Sequence, residues 1–197
     1  MANIISLTAL FLSWISVTLL LNHRFYLSFS VILIAFIMDA LDGYFARKFK
    51  AESPFGRQLD SNVDIFVFIV YPALALYCYF GLRDVLSVAV ICIFVGAGVF
   101  RLARFNVAGF LQMDDGKRIA YNGLPVFFSH FTLLVLLGLR QFTAKHFVPA
   151  ADLLIFINGI AMVMKFPFTK PKTLWPFLLL IAAASLTMLF MDYNATH

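Results

Sequence analysis

Met38-Asp39-Ala-Leu-Asp42-Gly43-Tyr-Phe-Ala46-Arg47 closes one long apolar run, and Gly56-Arg-Gln-Leu-Asp60-Ser-Asn-Val-Asp64 opens the next. Four aspartates thus fall within 26 positions of a chain that has ten acidic residues in all. Asp39 and Asp42 stand three apart, and Asp60 and Asp64 four apart, so on helices each pair shares one face. Two such faces meeting across a short turn would gather four carboxylates, and like-charge repulsion forbids that unless a cation sits among them. Hard divalent ions take oxygen ligands of this kind. A carboxylate at the bilayer centre costs about 2.5–3.5 kcal/mol on insertion scales, so four together between apolar runs point to a function.

The apolar runs on either side decide the fold class. The chain has 197 residues, is 62% hydrophobic with 24 Phe, is only 13% charged and has a mean hydropathy of +0.92. Those values exclude an ordinary soluble domain and imply an all-α, polytopic integral-membrane helical bundle. Seven segments reach, or nearly reach, the length that crosses about 30 Å of hydrocarbon. They lie near 4–22, 26–47, 59–80, 84–105, 123–142, 149–165 and 173–191. Asp152 and Asn158 interrupt the sixth, and Lys165 ends it, so six to seven transmembrane helices are expected. With no internal repeat and no composition break, 1–197 reads as a single membrane domain. The first run lacks a basic leader and reads as a retained helix.

Basic residues give the sidedness. The loops holding Arg47, Lys48, Lys50 and Arg57, then Arg101, Arg104, Lys117 and Arg118, then Lys165, Lys170 and Lys172 carry eleven of the fifteen Lys and Arg. Arg24, Arg83, Arg140 and Lys145 fall on the other side. The aspartate stretch is therefore expected on the cytoplasmic face, probed by soluble substrates, and the net charge of +5 belongs to a membrane surface rather than to a nucleic-acid footprint. Cys78 and Cys92 lie inside apolar runs and read as small packing residues. Gly43, Pro54 and Gly56 suggest helices that break at the aspartate stretch, with Ser53-Pro54 and Gly56 in the intervening turn. Gly96, Gly98 and Ala103 suggest a small-residue packing face on the fourth helix.

The stretch resembles the signature of the CDP-alcohol phosphotransferase (CDP-alcohol phosphatidyltransferase) family, D-x2-D-G-x2-A-R-x8-G-x3-D-x3-D. Asp39, Asp42, Gly43, Ala46, Arg47, Gly56, Asp60 and Asp64 match all its fixed positions. The resemblance implies Asp39, Asp42, Asp60 and Asp64 as ligands of Mg²⁺ or Mn²⁺, as two ions, with Asp64 also the catalytic general base. It implies CDP-lipid contacts from Gly43, from Arg47 through its planar fork, and from Ser53. Asn3-Ile-Ile-Ser6 resembles the family's Asn-x2-Thr element, which adds Asn3 and Ser6 to that set. The reaction implied is transfer of the phosphatidyl group of CDP-diacylglycerol to a small polar alcohol with release of CMP, in a homodimer of the cell (inner) membrane.

Three further elements resemble the phosphatidylserine synthase branch: Arg101-Leu-Ala-Arg104-Phe-Asn106, Asn122-Gly-Leu-Pro125 and the segment Met162 to Lys172, with Met164 where that branch has Ser. They favour L-serine as acceptor, with Arg101 and Arg104 lining the acceptor pocket; glycerol 3-phosphate and inositol phosphate are the alternatives. A cation-coupled transporter is the reading of another class, and it requires a second aspartate-bearing broken helix that no stretch after residue 100 supplies. His23, His130, His146 and His197 share no spacing and read as structural, and Trp14 and Trp175 as lipid-facing.

Overall fold

Helices carry almost all of the chain that the computed structural model describes, namely residues 2–48, 53–112, 119–142, 146–169 and 175–196. The side chains of Asn3 and Arg47, and the residues Lys50, Asp114, Asp115, Lys117, Arg118, Lys145, Lys170, Lys172 and His197, lie outside that description. The described chain forms two compact units, one of residues 1–67 with 173–197 and one of 68–172.

In the first unit, α1 (Ala2–Leu21) and α2 (Phe25–Lys48) form a hairpin, closed at His23 with a backbone φ of 61°. His23 and Arg24 donate their amides to the Leu20 and Leu19 carbonyls, which satisfies the last turn of α1. α8 (Trp175–Thr196) lies against α2, and α3 (Pro54–Ile65) against α1. Buried serines bind these helices. The Ser16 and Ser28 hydroxyls donate to each other's carbonyls, each at 2.7 Å, and the Ser30 and Ser185 hydroxyls meet at 2.8 Å. In hydrocarbon, where apolar burial gives little drive, small residues and cross-helix hydrogen bonds hold helices together. At the far end, Arg24 donates to the Asp192 carboxylate at 2.6 Å.

Downstream of α3 the helix passes through a π-turn at Phe66–Val70 into α4 (Tyr71–Cys78). Pro72 explains the wide turn: it offers no amide, and its ring displaces the carbonyl four residues back. The second unit holds α4, α5 (Val85–Ala108), α6 (Phe128–Phe142) and α7 (Phe147–Val163). The Asp84 side chain caps α5 through the Ser87 amide. Gly98 approaches Ile69 so closely that an added Cβ would lie 2.8 Å from it, and Gly159 brings α7 to the backbone of Phe94. Gly96 has open space around it and Ala103 is exposed, so the packing face on α5 is Ala97 and Gly98 rather than the expected Gly96, Gly98 and Ala103.

Among the described residues, five helical segments are long and apolar enough to cross a membrane: Ile4–Leu21, Phe25–Gly43, Phe55–Cys78, Val85–Ala108 and Trp175–Asn194. α6 has 15 residues against 20 in the expected segment 123–142, and α7 has 17, as many as the expected 149–165 but starting two residues earlier. At about 1.5 Å per residue they fall short of the hydrocarbon thickness. Short strands flank both helices. Residues 119–122 are not loop or helix but strand β2, which pairs antiparallel with β1 (Leu111–Gln112) and with β3 (Pro167–Thr169). This small sheet is an addition to the all-α expectation. Ala120, Tyr121 and Asn122 stand opposite Thr169, Phe168 and Pro167.

Candidate active site

The aspartates are placed by three helices of the first unit. α1 and α2 run antiparallel, so the start of α1 comes beside the acidic end of α2, and the Ser6 hydroxyl donates to Oδ2 of Asp42. Ser6 is 2% exposed and Asp42 5%, so this contact is sealed from water. α3 supplies Asp60 and Asp64, one turn apart on a helix whose start is fixed by Ser53. The Gly56 amide donates to the Ser53 hydroxyl oxygen at 2.9 Å, and Pro54 occupies the first helical turn, where a missing amide costs nothing. Pro54 and Gly56 therefore begin the helix instead of forming the expected turn. Likewise α2 continues through Gly43 to Lys48, because one glycine in a helix interior costs only about 1 kcal/mol.

The charges of Asp64, Asp60 and Asp42 all bear on Asp39, so both sequence pairs converge on one region. Oδ1 of Asp39 and Oδ1 of Asp42 are buried without a hydrogen-bond partner. A buried carboxylate oxygen with no donor is costly, and two of them beside two further aspartates match what a divalent cation would neutralise. Among the described residues, no group of three or more Asp, Glu, His or Cys side chains stands close enough together to hold a metal ion as it is. The donor set, all carboxylate oxygen, is the chemistry Mg²⁺ and Mn²⁺ take.

The remaining predicted residues fall into separate settings. Gly43 is half-buried in α2, one position after Asp42. Arg101 and Arg104 lie on α5 in the second unit. Arg101 is buried, its guanidinium 5.1 Å from the ring centre of Phe105 and 5.4 Å from that of Tyr121. Arg104 donates to three backbone carbonyls: Val163 at 2.6 Å, Asn122 at 2.5 Å and Met162 at 2.9 Å. The i,i+3 spacing of the two arginines did not foretell this division, because the carbonyl acceptors come from the ends of α7 and β2, distant in sequence from α5. The serine bonds of α1, α2 and α8 were equally invisible, since isolated Ser residues in apolar runs carry no periodic signal. His130 is buried beside Phe68 and Tyr71, in agreement with a structural reading.

Similarity to known proteins falls on the same stretch. Residues 1–145 match the family model described as CDP-alcohol phosphatidyltransferase. The chain is similar to the CDP-diacylglycerol–serine O-phosphatidyltransferase of Methanocaldococcus jannaschii, 36% identical over 73% of this chain and 64% of that protein. It is similar to the enzymes of the same name from Mycobacterium leprae, 31% identical over 80% and 54% of the two chains, and from Helicobacter pylori, 28% identical over 82% and 66%. The chain thus spans just under two thirds, or less, of the length of these relatives. A family match that takes in Asp39, Asp42, Asp60 and Asp64, on helices apolar enough to cross a bilayer, makes this chain an integral-membrane member of the CDP-alcohol phosphatidyltransferase family.

Proposed function

We propose that the protein transfers the phosphatidyl group of CDP-diacylglycerol to L-serine, giving phosphatidylserine and CMP. The observation that carries this reading is the convergence of Asp39, Asp42, Asp60 and Asp64, with two buried, partnerless carboxylate oxygens among them. The names of its relatives support serine as the acceptor.

Asp39, Asp42, Asp60 and Asp64 would hold Mg²⁺ or Mn²⁺, whose chemistry there is to neutralise the diphosphate as the nucleophile approaches. The chain's own residues do the rest. Asp64 takes the proton of the serine hydroxyl, since an alcohol is a poor nucleophile until a placed base removes it. The serine oxygen bonds to the phosphorus that bears the diacylglycerol, the bond from that phosphorus to the CMP oxygen breaks, and CMP departs. Ser6 orients Asp42, and Gly43 leaves room beside it for the substrate. Arg47 and Asn3 belong to the CDP-lipid side. The basic loops support a site on the cytoplasmic face of the cell membrane, with α6 and α7 as shorter membrane segments beside the five long ones, and a homodimer as the active form.

The test is CMP release by the full chain in mixed micelles with CDP-diacylglycerol, Mn²⁺ or Mg²⁺, and a panel of L-serine, glycerol 3-phosphate and inositol phosphate. Serine-dependent release that disappears in a folded Asp64→Asn variant is expected. Release with another acceptor alone would reassign the substrate. Cation flux into liposomes lacking CDP-lipid, with no CMP formed, would replace the reading with a transporter.

A further inference from the structure

Two arginines close the end of α4. The last carbonyls of a helix have no partner within it. Here the Tyr79 and Phe80 amides donate to the Ala75 carbonyl, and the Leu82 amide donates to that of Leu76. The next three carbonyls go to guanidinium groups. Arg83, which follows the turn at Gly81, donates through Nε to Tyr77 at 3.2 Å and through Nη2 to Cys78 at 3.5 Å. Arg140, in the last turn of α6, donates through Nη1 to Tyr79. Tyr77, Cys78 and Tyr79 are consecutive, so both forks are drawn to one helix end.

Each guanidinium also lies over a tyrosine ring. Cζ of Arg83 is 5.3 Å from the ring centre of Tyr77, and Cζ of Arg140 is 4.5 Å from that of Tyr79. A ring face fixes the plane of the fork and leaves its outer edge to donate. Among the described residues, Nη1 of Arg83 and Nη2 of Arg140 carry no hydrogen bond, and no carboxylate pairs with either arginine. Asp84, the nearest acid in sequence, turns its carboxylate to Ser87 instead. The ends of α4 and α6 offer roughly half a negative charge each, which offsets about one of the two positive charges. An excess of about one positive charge remains at this exposed pair.

The surroundings suit an anion that carries lipid tails. Gly81, with a φ of +76°, has nothing within 4 Å of the place where a Cβ would stand, so the turn beside the forks is open. Val85 and Leu86, which begin α5, are 89% and 66% exposed and give acyl chains an apolar bed. Tyrosine rings at the end of an apolar helix sit at headgroup depth, and a planar fork meets phosphate oxygens two at a time.

We propose that Arg83 and Arg140 form a binding site for the phosphate group of an anionic phospholipid, gripped by the outer edges of two forks stacked on Tyr77 and Tyr79. The site lies wholly within the unit of residues 68–172 and uses none of the four clustered aspartates.

The test is native mass spectrometry of the full chain in detergent. It is titrated with phosphatidylglycerol and, separately, with diacylglycerol of the same tails and with inorganic phosphate. Wild type is expected to bind phosphatidylglycerol at least about fivefold more tightly than diacylglycerol. Arg83→Gln and Arg140→Gln keep an amide donor for the carbonyls but lose the charge. Each is expected to weaken phosphatidylglycerol binding about fivefold, and both together more than about tenfold, with diacylglycerol binding unmoved. Arg140→Lys should recover part of the loss, because the charge returns without the fork. Equal affinity for the two lipids, or unchanged phosphatidylglycerol affinity in the double variant, would overturn the proposal. Inorganic phosphate that displaces phosphatidylglycerol at equal concentration would overturn the lipid assignment in favour of a free phosphate. If the double variant does not fold, unchanged phosphatidylglycerol affinity in both single variants overturns it instead.

Discussion

The Ser6 hydroxyl, near the start of α1, donates to the Asp42 carboxylate at the acidic end of α2, and both groups are buried. The bond occupies Oδ2 and leaves Oδ1 of Asp42 without a partner. A hydrogen bond of this kind orients a ligand oxygen without touching the metal, and losing one typically weakens metal affinity about 10–100-fold. Ser6→Ala is therefore expected to shift the Mn²⁺ or Mg²⁺ concentration for half-maximal CMP release upward by roughly tenfold or more, while saturating metal restores most of the rate. Ser6→Thr keeps the hydroxyl and should stay near wild type. A metal titration of the two variants that superimposes on wild type would deny Ser6 this part.

Ser53 has two candidate duties that substitution separates. Its hydroxyl caps α3 at the Gly56 amide, and its resemblance to a nucleotide-contacting position gives it a substrate duty. Ser53→Ala should lower stability by about 1 kcal/mol, the usual cost of a lost cap. Ser53→Asp caps as well as serine does but places a negative charge near the diphosphate. The expected outcome is wild-type thermal stability with a raised KM for CDP-diacylglycerol. An unaltered KM in Ser53→Asp would leave Ser53 a cap and nothing more.

The sequence already located the aspartate stretch, the helical class and both edges of α2 to within a residue or two, because long apolar runs and fixed carboxylate spacing are local signals. What it hid was set by distant partners. The strand Ile119–Asn122 looked like loop because its pairing residues are Leu111–Gln112 and Pro167–Thr169. Pro54 and Gly56 looked like turn residues, yet Ser53 caps the helix they begin. Arg101 and Arg104 looked equivalent by spacing, but the carbonyl ends of α7 claim one of them and aromatic rings flank the other. The carboxylate spacing was legible, and the contacts that support it were not.

Two glycines two positions apart on α5 should respond in opposite ways. A Cβ on Gly98 would meet the Ile69 side chain at 2.8 and 2.9 Å, whereas Gly96 has nothing within 4 Å. Gly98→Leu overpacks the contact between α5 and the π-turn and should destabilise by about 1–3 kcal/mol. Gly96→Leu should be neutral or slightly stabilising, since glycine is the poorer helix former. Adding Ile69→Ala to Gly98→Leu should recover part of the loss by making room. Thermal unfolding in detergent reads all three, and equal effects of the two leucines would contradict the packing.

Asp84 gives α5 a pH-dependent start. The Ser87 hydroxyl, 2.6 Å from its Oδ1, and the Ser87 amide, 3.2 Å from its Oδ2, hold the exposed Asp84 carboxyl below the usual carboxylate range. A carboxyl with a depressed folded-state pKa contributes stability that is complete above its unfolded value of about 3.9 and is lost as the pH falls through the folded value. Asp84→Ala should therefore lower the unfolding temperature at pH 7, with the gap from wild type closing as the pH drops below about 4. Asp84→Asn keeps an oxygen for the Ser87 amide without a titrating proton. It should resemble wild type at low pH and fall behind only where Asp84 is charged. A gap between Asp84→Ala and wild type that is the same at pH 3 and pH 7 would mean that the cap acts through shape alone, with no share for the charge.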